Sequence, residues 1–165
     1  MDPQLEQVIA RLEARFDAAL AREEEEAAAD LALSLRQDRP LADLIRDGGG
    51  LRVVEGDGAQ APVTVVGADY CGTGTPLTCI CRLGSAPLVV EPAAPAPESL
   101  GDSLQEVARR WARGGQRVGL GLETDGSLVG RLAQVGPDNL VLEGTAGRFI
   151  VPLWIVRSIR LVHEG

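Results

Sequence analysis

After Gly50 the sequence is cut into short pieces by turn residues, and that punctuation limits what the chain can fold into. Two series of strand-length pieces result. The first is Leu51–Glu55, Pro62–Val66, Tyr70–Thr73, Leu77–Leu83 and Pro87–Val90. Its turns are Gly56-Asp57-Gly58, Gly67-Ala68-Asp69, Gly74-Thr75-Pro76 and Gly84-Ser85. The second is Arg117–Glu123, Ser127–Val135, Leu140–Glu143, Arg148–Pro152 and Ile155–Val162. Its connections are Thr124-Asp125-Gly126, Gly136-Pro137-Asp138, Gly144-Thr145-Ala146-Gly147 and the very short Leu153-Trp154. Gly tolerates positive φ and Asp bonds its own backbone, so these residues turn the chain between strands.

The two series share a plan. Each follows a short helix that ends in Gly. The first is Leu41 to Asp47, before Gly48-Gly49-Gly50. The second opens with Ser103-Leu104-Gln105-Glu106, a capping-box pattern, and closes at Gly114-Gly115. Its Leu104, Val107, Ala108 and Trp111 fall on one helical face. Each series has an Asp-Gly turn (Asp57-Gly58, Asp125-Gly126), then Val66-Gly67-Ala68-Asp69 or Val135-Gly136-Pro137-Asp138. The spacing from turn Asp to loop Asp is 12 and 13 residues. One design used twice accounts for this; the alternative is two unrelated meanders with similar turn chemistry. Between them, Glu91 to Glu98 is a Pro/Ala stretch that reads as an extended spacer of about 3.1 Å per residue.

The N-terminus carries a different period. Asp2 is a good N-cap and Pro3 a good first helical residue. Leu5, Ile9, Leu12, Phe16 and Ala19 or Leu20 then form one apolar stripe. The run Glu23 to Glu26, a solvated face, interrupts it; Leu31 and Leu35 resume it before Asp38-Arg39-Pro40 breaks the helix. A stripe this narrow needs a partner. Leu5, Ile9, Leu12 and Phe16 are therefore a candidate dimer interface, with packing onto the protein's own strands as the alternative.

The expected organisation is an acidic helix over 1–38, a degenerate small β-barrel over 39–90, a Pro/Ala linker over 91–102 and a second small β-barrel over 103–165. The fold class is α+β: an N-terminal helical arm followed by two short helix-plus-five-strand small barrels. Such barrels bend sharply at Gly within strands, and Gly130 lies mid-strand. From Val118 to Val162 the pattern is a strand, Asp125-Gly126, Gly130-Arg131-Leu132, Asp138, Asn139-Leu140-Val141-Leu142, Phe149-Ile150-Val151-Pro152 and Ile155-Val156-Arg157-Ser158-Ile159. This stretch resembles the Sm-like proteins, the fold of bacterial Hfq and the LSm proteins. The whole chain is similar to a group of actinobacterial proteins with an acidic N-terminal helix ahead of such a barrel. The resemblance has limits. The loop between Gly130 and Asp138 is about two residues longer than is usual in that fold. Where Hfq carries its RNA-contacting Tyr-Lys-His run, this chain has Pro152-Leu153-Trp154. The Sm-type uridine pocket is not carried over. Trp154 remains, either to stack a base or to pack an interface.

Chemistry is narrowed by what is missing. All sixteen basic residues are Arg, which excludes a Walker A loop, a Schiff base and any catalytic Lys. His163 is the single His, which excludes a His-based triad and a multi-His metal site. No Gly-x-Ser-x-Gly elbow occurs, and no Gly-x-Gly-x-x-Gly follows a strand. Asp57, Asp69, Asp125 and Asp138 sit in turns and read as turn formers. No catalytic, cofactor-binding or metal-ligating residue is expected, and the chain is not read as an enzyme. Cys71, Cys79 and Cys81 form C-x7-C-x-C, a spacing that matches no common zinc ribbon. Cys79 and Cys81 alternate with Ile80, so they read as small apolar residues sharing a strand face. Zinc, with Asp69 or His163 as fourth ligand, and redox pairing are the alternatives.

The net charge of −8 is unevenly spread. Residues 1–50 hold six Arg against twelve acids, 51–103 two against six, and 104–165 eight against six. Only the last segment suits phosphate binding. Candidate nucleic-acid contacts are Arg109, Arg110, Arg113, Arg117 and Arg131 for phosphates, with Trp154 or Phe149 for stacking. The plainer reading is that the first four complement the dipole at a helix end. The acidic N-terminal helices disfavour DNA. The polar, acidic start is unlike a signal peptide, no apolar run approaches the roughly 20 residues of a membrane span, and an odd number of Cys does not suggest a secreted framework. The expectation is a cytoplasmic, non-catalytic interaction or scaffold protein that binds itself or another protein, with no membrane partner. The alternative is an RNA-binding post-transcriptional regulator.

Overall fold

The computed structural model describes residues 2–37 and 41–163. The helix break expected at Asp38-Arg39-Pro40 lies outside the described residues. The chain divides into two compact units, Met1–Pro40 and Leu41–Gly165.

The first unit is one helix, α1 (Pro3–Gln37). It begins as the Asp2-Pro3 pair dictates. The Asp2 carboxylate accepts from the Gln4 amide at 3.0 Å, satisfying a donor that the first turn leaves orphaned. At 1.5 Å per residue, 35 residues span about 52 Å. Each residue from Asp2 to Ser34 is exposed. Leu5, Ile9, Leu12, Phe16 and Leu20 are between 41% and 68% exposed, so the stripe is open along its length.

The second unit runs α2 (Leu41–Asp47), β1 (Gly50–Val54), β2 (Gln60–Val66), β3 (Tyr70–Thr73), β4 (Cys79–Arg82), β5 (Leu88–Glu91), β6 (Glu98–Ser99), α3 (Leu104–Arg113), β7 (Arg117–Leu122), β8 (Ser127–Val135), β9 (Asn139–Gly144), β10 (Gly147–Pro152), a 3₁₀ turn (Leu153–Ile155) and β11 (Val156–Leu161). The strands form one open sheet in the order β10-β9-β8-β7-β11-β4-β3-β2-β1-β5, with the short β6 parallel to β2. Two sets of five can be read from that order. In each, four strands meander and the fifth returns beside the first: β4-β3-β2-β1-β5 and β10-β9-β8-β7-β11.

The expected pair of closed barrels is not what forms. To close separately, β11 would have to turn its second edge to β10, and β4 its second edge to β5. Instead β11 and β4 take each other's edges, antiparallel, with Ser158 opposite Cys81, Ile159 opposite Ile80 and Arg160 opposite Cys79. The apolar pattern shows why. Ile80 and Ile159 are both fully buried, and parting the strands would return both to water. One continuous open sheet therefore replaces two barrels.

The cores follow the same logic. The larger gathers Leu104, Val107 and Ala108 of α3 onto Val118, Leu120, Leu132, Leu140, Leu142 and other residues of the second set, and it includes Tyr70 and Ile80 of the first. The smaller holds Ile45, Leu51, Val53, Val63, Val66 and Cys71. Leu104 and Val107 are each buried on α3, worth about 1.5–3 kcal/mol apiece. The capping box forms: Ser103 Oγ accepts from the Glu106 amide at 3.2 Å, and Glu106 accepts from the Ser103 amide at 2.8 Å. Asp69, read as a turn former, also reaches α3, where its carboxylate accepts from the Leu104 amide at 2.7 Å. Two glycines permit close approach. A Cβ on Gly67 would lie 2.0 Å from the Tyr70 ring, and one on Gly130 2.7 Å from the Glu143 carbonyl oxygen. The Pro/Ala stretch ends in β6, after which the Leu100 amide donates to the Val66 carbonyl at 2.8 Å.

Candidate functional site

Strand geometry builds the most distinctive chemistry at the β4–β11 junction. Side chains alternate across a strand, so Ile80 enters the larger core while Cys79 and Cys81 face the opposite side. Register then places Cys71 and Thr73 of β3 directly across from Cys81 and Cys79. Ser158 and Arg160 flank the same two cysteines from β11. This face borders a cleft of about 390 Å³ lined by Cys79, Cys81, Glu55, Ser85, Arg157 and Arg160 among others. Arg160 donates to Glu55 at 2.7 Å across it, and this partner raises the Arg160 pKa further.

The three thiols are free and have unequal surroundings. A hydrogen bond from Cys81 holds Cys79 down at about 7, with help from Arg160 and Thr73 and against the pull of burial. Cys81 is pushed up, because Cys79 holds its proton and because it is partly buried. Burial, then the charge of Cys79, pushes Cys71 up to about 11. Among the described residues, no three His, Cys, Asp or Glu side chains come together to hold a metal ion.

The arginines singled out from sequence are distributed over several elements. Arg109, Arg110 and Arg113 project from α3, Arg117 opens β7 and Arg131 lies on β8. Arg110 pairs with Asp102 at 2.7 Å, and Asp102 also accepts from the Tyr70 hydroxyl at 2.7 Å. Burial works against the Asp102 charge, yet the Tyr70 and Arg110 hydrogen bonds win and hold its carboxyl below the usual range. Burial and Asp102 in turn push the Tyr70 hydroxyl up. Arg131 pairs with Glu143, its direct cross-strand neighbour, and Arg148 joins the same carboxylate at 3.2 Å. Arg109 and Arg113 line a shallow depression with Gln134 and Val135; Arg117 and Arg131 line a separate groove with Glu143 and His163. Trp154 lines neither. It is 65% exposed on the 3₁₀ turn, whose Leu153 and Trp154 carbonyls accept from Arg82 of β4. The six residues are not gathered into one surface feature.

Two further features are the edges of the sheet. Among the described residues, β10 pairs only with β9, and β5 only with β1. The Leu153 amide donates to the Asp138 carbonyl, marking Pro152–Asn139 as a wide pair. By alternation, the backbone groups of Ile150 and Arg148 point away from β9. The Val54 amide donates to the Pro87 carbonyl, marking Leu88–Val53 as wide, so Leu88 and Val90 point away from β1. Among the described residues, each edge thus offers two residues whose backbone donors and acceptors no neighbouring strand uses. Ile150 is 73% exposed and Val90 50%.

No helix among the described residues is long and apolar enough to cross a membrane. No protein-family model matches the sequence, and no curated protein matches it.

Proposed function

We propose that this chain is a non-catalytic scaffold that joins copies of itself through the two edges of its sheet. The observation that carries this reading is the junction inside one chain. There the fourth strand of the first set, β4, pairs with the fifth strand of the second, β11. The two strands left over are the fourth of the second set, β10, and the fifth of the first, β5. A second copy can therefore bring its β5 to the first copy's β10 in the sense already used within the chain. Pairing of this kind is heterologous, so it continues until a ring closes or a fibre grows. Exposed edges are templates for such pairing.

The short length of the two edges favours it. Pro87 and Pro92 bracket β5, and Pro152 ends β10, which confines pairing to a few residues. The exposed α1 stripe is a second surface, on which another protein docks. RNA binding has weaker support, since Arg110 and Arg131 are already engaged by carboxylates. Three free thiols fit a reducing cytoplasm.

Two edge variants test the reading. Pro at 150 or at 90 removes an outward N–H without breaking the ladder to β9 or β1. Light scattering of the parent chain should give a mass above 17.4 kDa that rises with concentration. Ile150→Pro and Val90→Pro should each be monomeric alone. Mixed together they should form only dimers, because one intact edge of each kind remains. A parent mass fixed at 17.4 kDa overturns the proposal, as does assembly that survives both substitutions. Leu12→Asp should leave assembly intact; monomers from it alone would transfer the role to α1. Salt-sensitive RNA binding lost in Arg109/Arg110/Arg113→Ala would favour the RNA reading instead.

A further inference from the structure

We propose that the groove beside Arg117 and Arg131 binds a phosphate dianion, either free or as the monoester of a small molecule. Strand register lines up four charged side chains on one face of the sheet. Arg117 of β7 stands opposite Arg131 of β8, Arg131 opposite Glu143 of β9, and Glu143 opposite Arg148 of β10. Residues in direct register share a face, so the row reads Arg-Arg-Glu-Arg. Glu143 accepts from both Arg131 and Arg148, and these two hydrogen bonds hold its carboxyl below the usual range. Three guanidiniums against one carboxylate leave the row at +2. Glu143 accepts at one nitrogen of Arg131, and a guanidinium carries several N–H donors, so Arg131 retains donors for a ligand.

The row is most costly where the two arginines face each other. The Leu132 amide donates to the Gln116 carbonyl at 2.9 Å, marking Arg117–Arg131 as a wide pair, in which facing side chains stand nearest. Their Cα atoms are then about 4.5 Å apart. Like charges directly opposite destabilise a sheet. An anion held by both turns that repulsion into two attractions.

The space beside the pair fits such an anion. A groove of about 640 Å³ lies there, with Gln116, Arg117, Arg131 and His163 along it. Gly115, Gly130 and Gly144 keep side chains off its floor. Each guanidinium fork can give parallel N–H donors to two phosphate oxygens. Charge selects the class. A phosphate monoester carries about −1.5 to −2 at pH 7 and matches the row, whereas a carboxylate or a phosphodiester carries a single charge and leaves half of the row unmet. The groove is larger than the bare ion needs, which leaves room for the organic part of an ester. It takes no residue from β5 or β10, so it is separate from the edges that join copies.

Calorimetric titration of the intact chain at fixed ionic strength tests this. The probes are inorganic phosphate, adenosine monophosphate and a short RNA without terminal phosphates. At least one of the first two should bind saturably, one per chain. Equal affinity for both assigns the site to the bare ion; tighter binding of the monophosphate assigns it to an ester. Arg117→Ala and Arg131→Ala should each weaken binding by at least about tenfold, since each removes charge-assisted hydrogen bonds. Arg113→Ala, on α3 and outside the groove, should bind like the parent. Circular dichroism on each variant separates loss of binding from loss of fold. Absence of saturable binding by both phosphate probes overturns the proposal. So does binding that either groove variant leaves unchanged, or that Arg113→Ala weakens equally. RNA bound more tightly than either phosphate probe also overturns it, because phosphodiesters would then be the preferred ligand.

Discussion

The two five-strand sets share a strand order but not a degree of self-sufficiency. The second set has strands of six to nine residues and a ten-residue helix with a complete capping box. Most of the larger core belongs to it. The first set has three four-residue strands and a seven-residue helix, and it gives Tyr70 and Ile80 to its neighbour's core. It also sends Asp69 to the start of α3. Equal topology does not make equal domains. The first set is completed by the second, through β11, α3 and the core that these two elements close.

The harshest way to break that dependence is Ile80→Asp. A charge placed at this fully buried position cannot be hydrated or paired, so a loss of more than about 4 kcal/mol is expected. Chemical denaturation followed at Trp111 and Trp154 reports the second set. Its signal should fall at lower denaturant although the mutation lies in the first. If the tryptophan transition stays where it is in the parent, the sets are independent.

A milder probe is the Tyr70–Asp102–Arg110 chain that ties β3 to α3. The Asp102 carboxyl is depressed in the folded state. Its contribution is therefore full above the ordinary carboxylate pKa and disappears as pH falls through the lower folded value. Asp102→Asn should cost stability at pH 7 and flatten the acid limb of a stability–pH curve. A limb as steep as the parent's would show that another carboxylate governs it. The smallest effect belongs to Arg52, whose 2.7 Å pair with Glu91 lies within the first set at its exposed edge. Arg52→Ala should cost less than about 1 kcal/mol by urea denaturation. A larger loss would show that β5 depends on this pair rather than on its backbone ladder.

Local structure was legible because its causes are local. Asp2-Pro3 starts α1, Ser103 and Glu106 cap α3, and the Gly-Asp turns bound strands such as Tyr70–Thr73 to the residue. Closure was not legible. Whether β4 meets β5 or β11 depends on which distant strand covers Ile80, and a buried isoleucine reads the same in either case. β6 has two residues, too few for a period, and sits in a Pro-rich stretch that suggested a spacer. The arginines show the same limit. Nothing in the order of residues indicated that Arg131 would stand opposite Glu143, since that follows from the β8–β9 register. The cysteines were legible as a shared strand face. Their cleft was not, because Arg160 and Glu55 arrive from opposite ends of the unit, 105 residues apart.

The β4–β11 pairing also sets a timetable for synthesis. β4 ends at Arg82, and β11, which covers its edge, begins only at Val156. At the roughly 5–20 residues per second of translation, that edge waits several seconds to more than ten for its partner. During this interval Ile80 and a row of unsatisfied backbone groups face the crowded surroundings of the ribosome exit. β11 ends this exposure, so a transcript truncated before codon 156 should yield a product that chaperones or proteases remove rather than a shorter working protein.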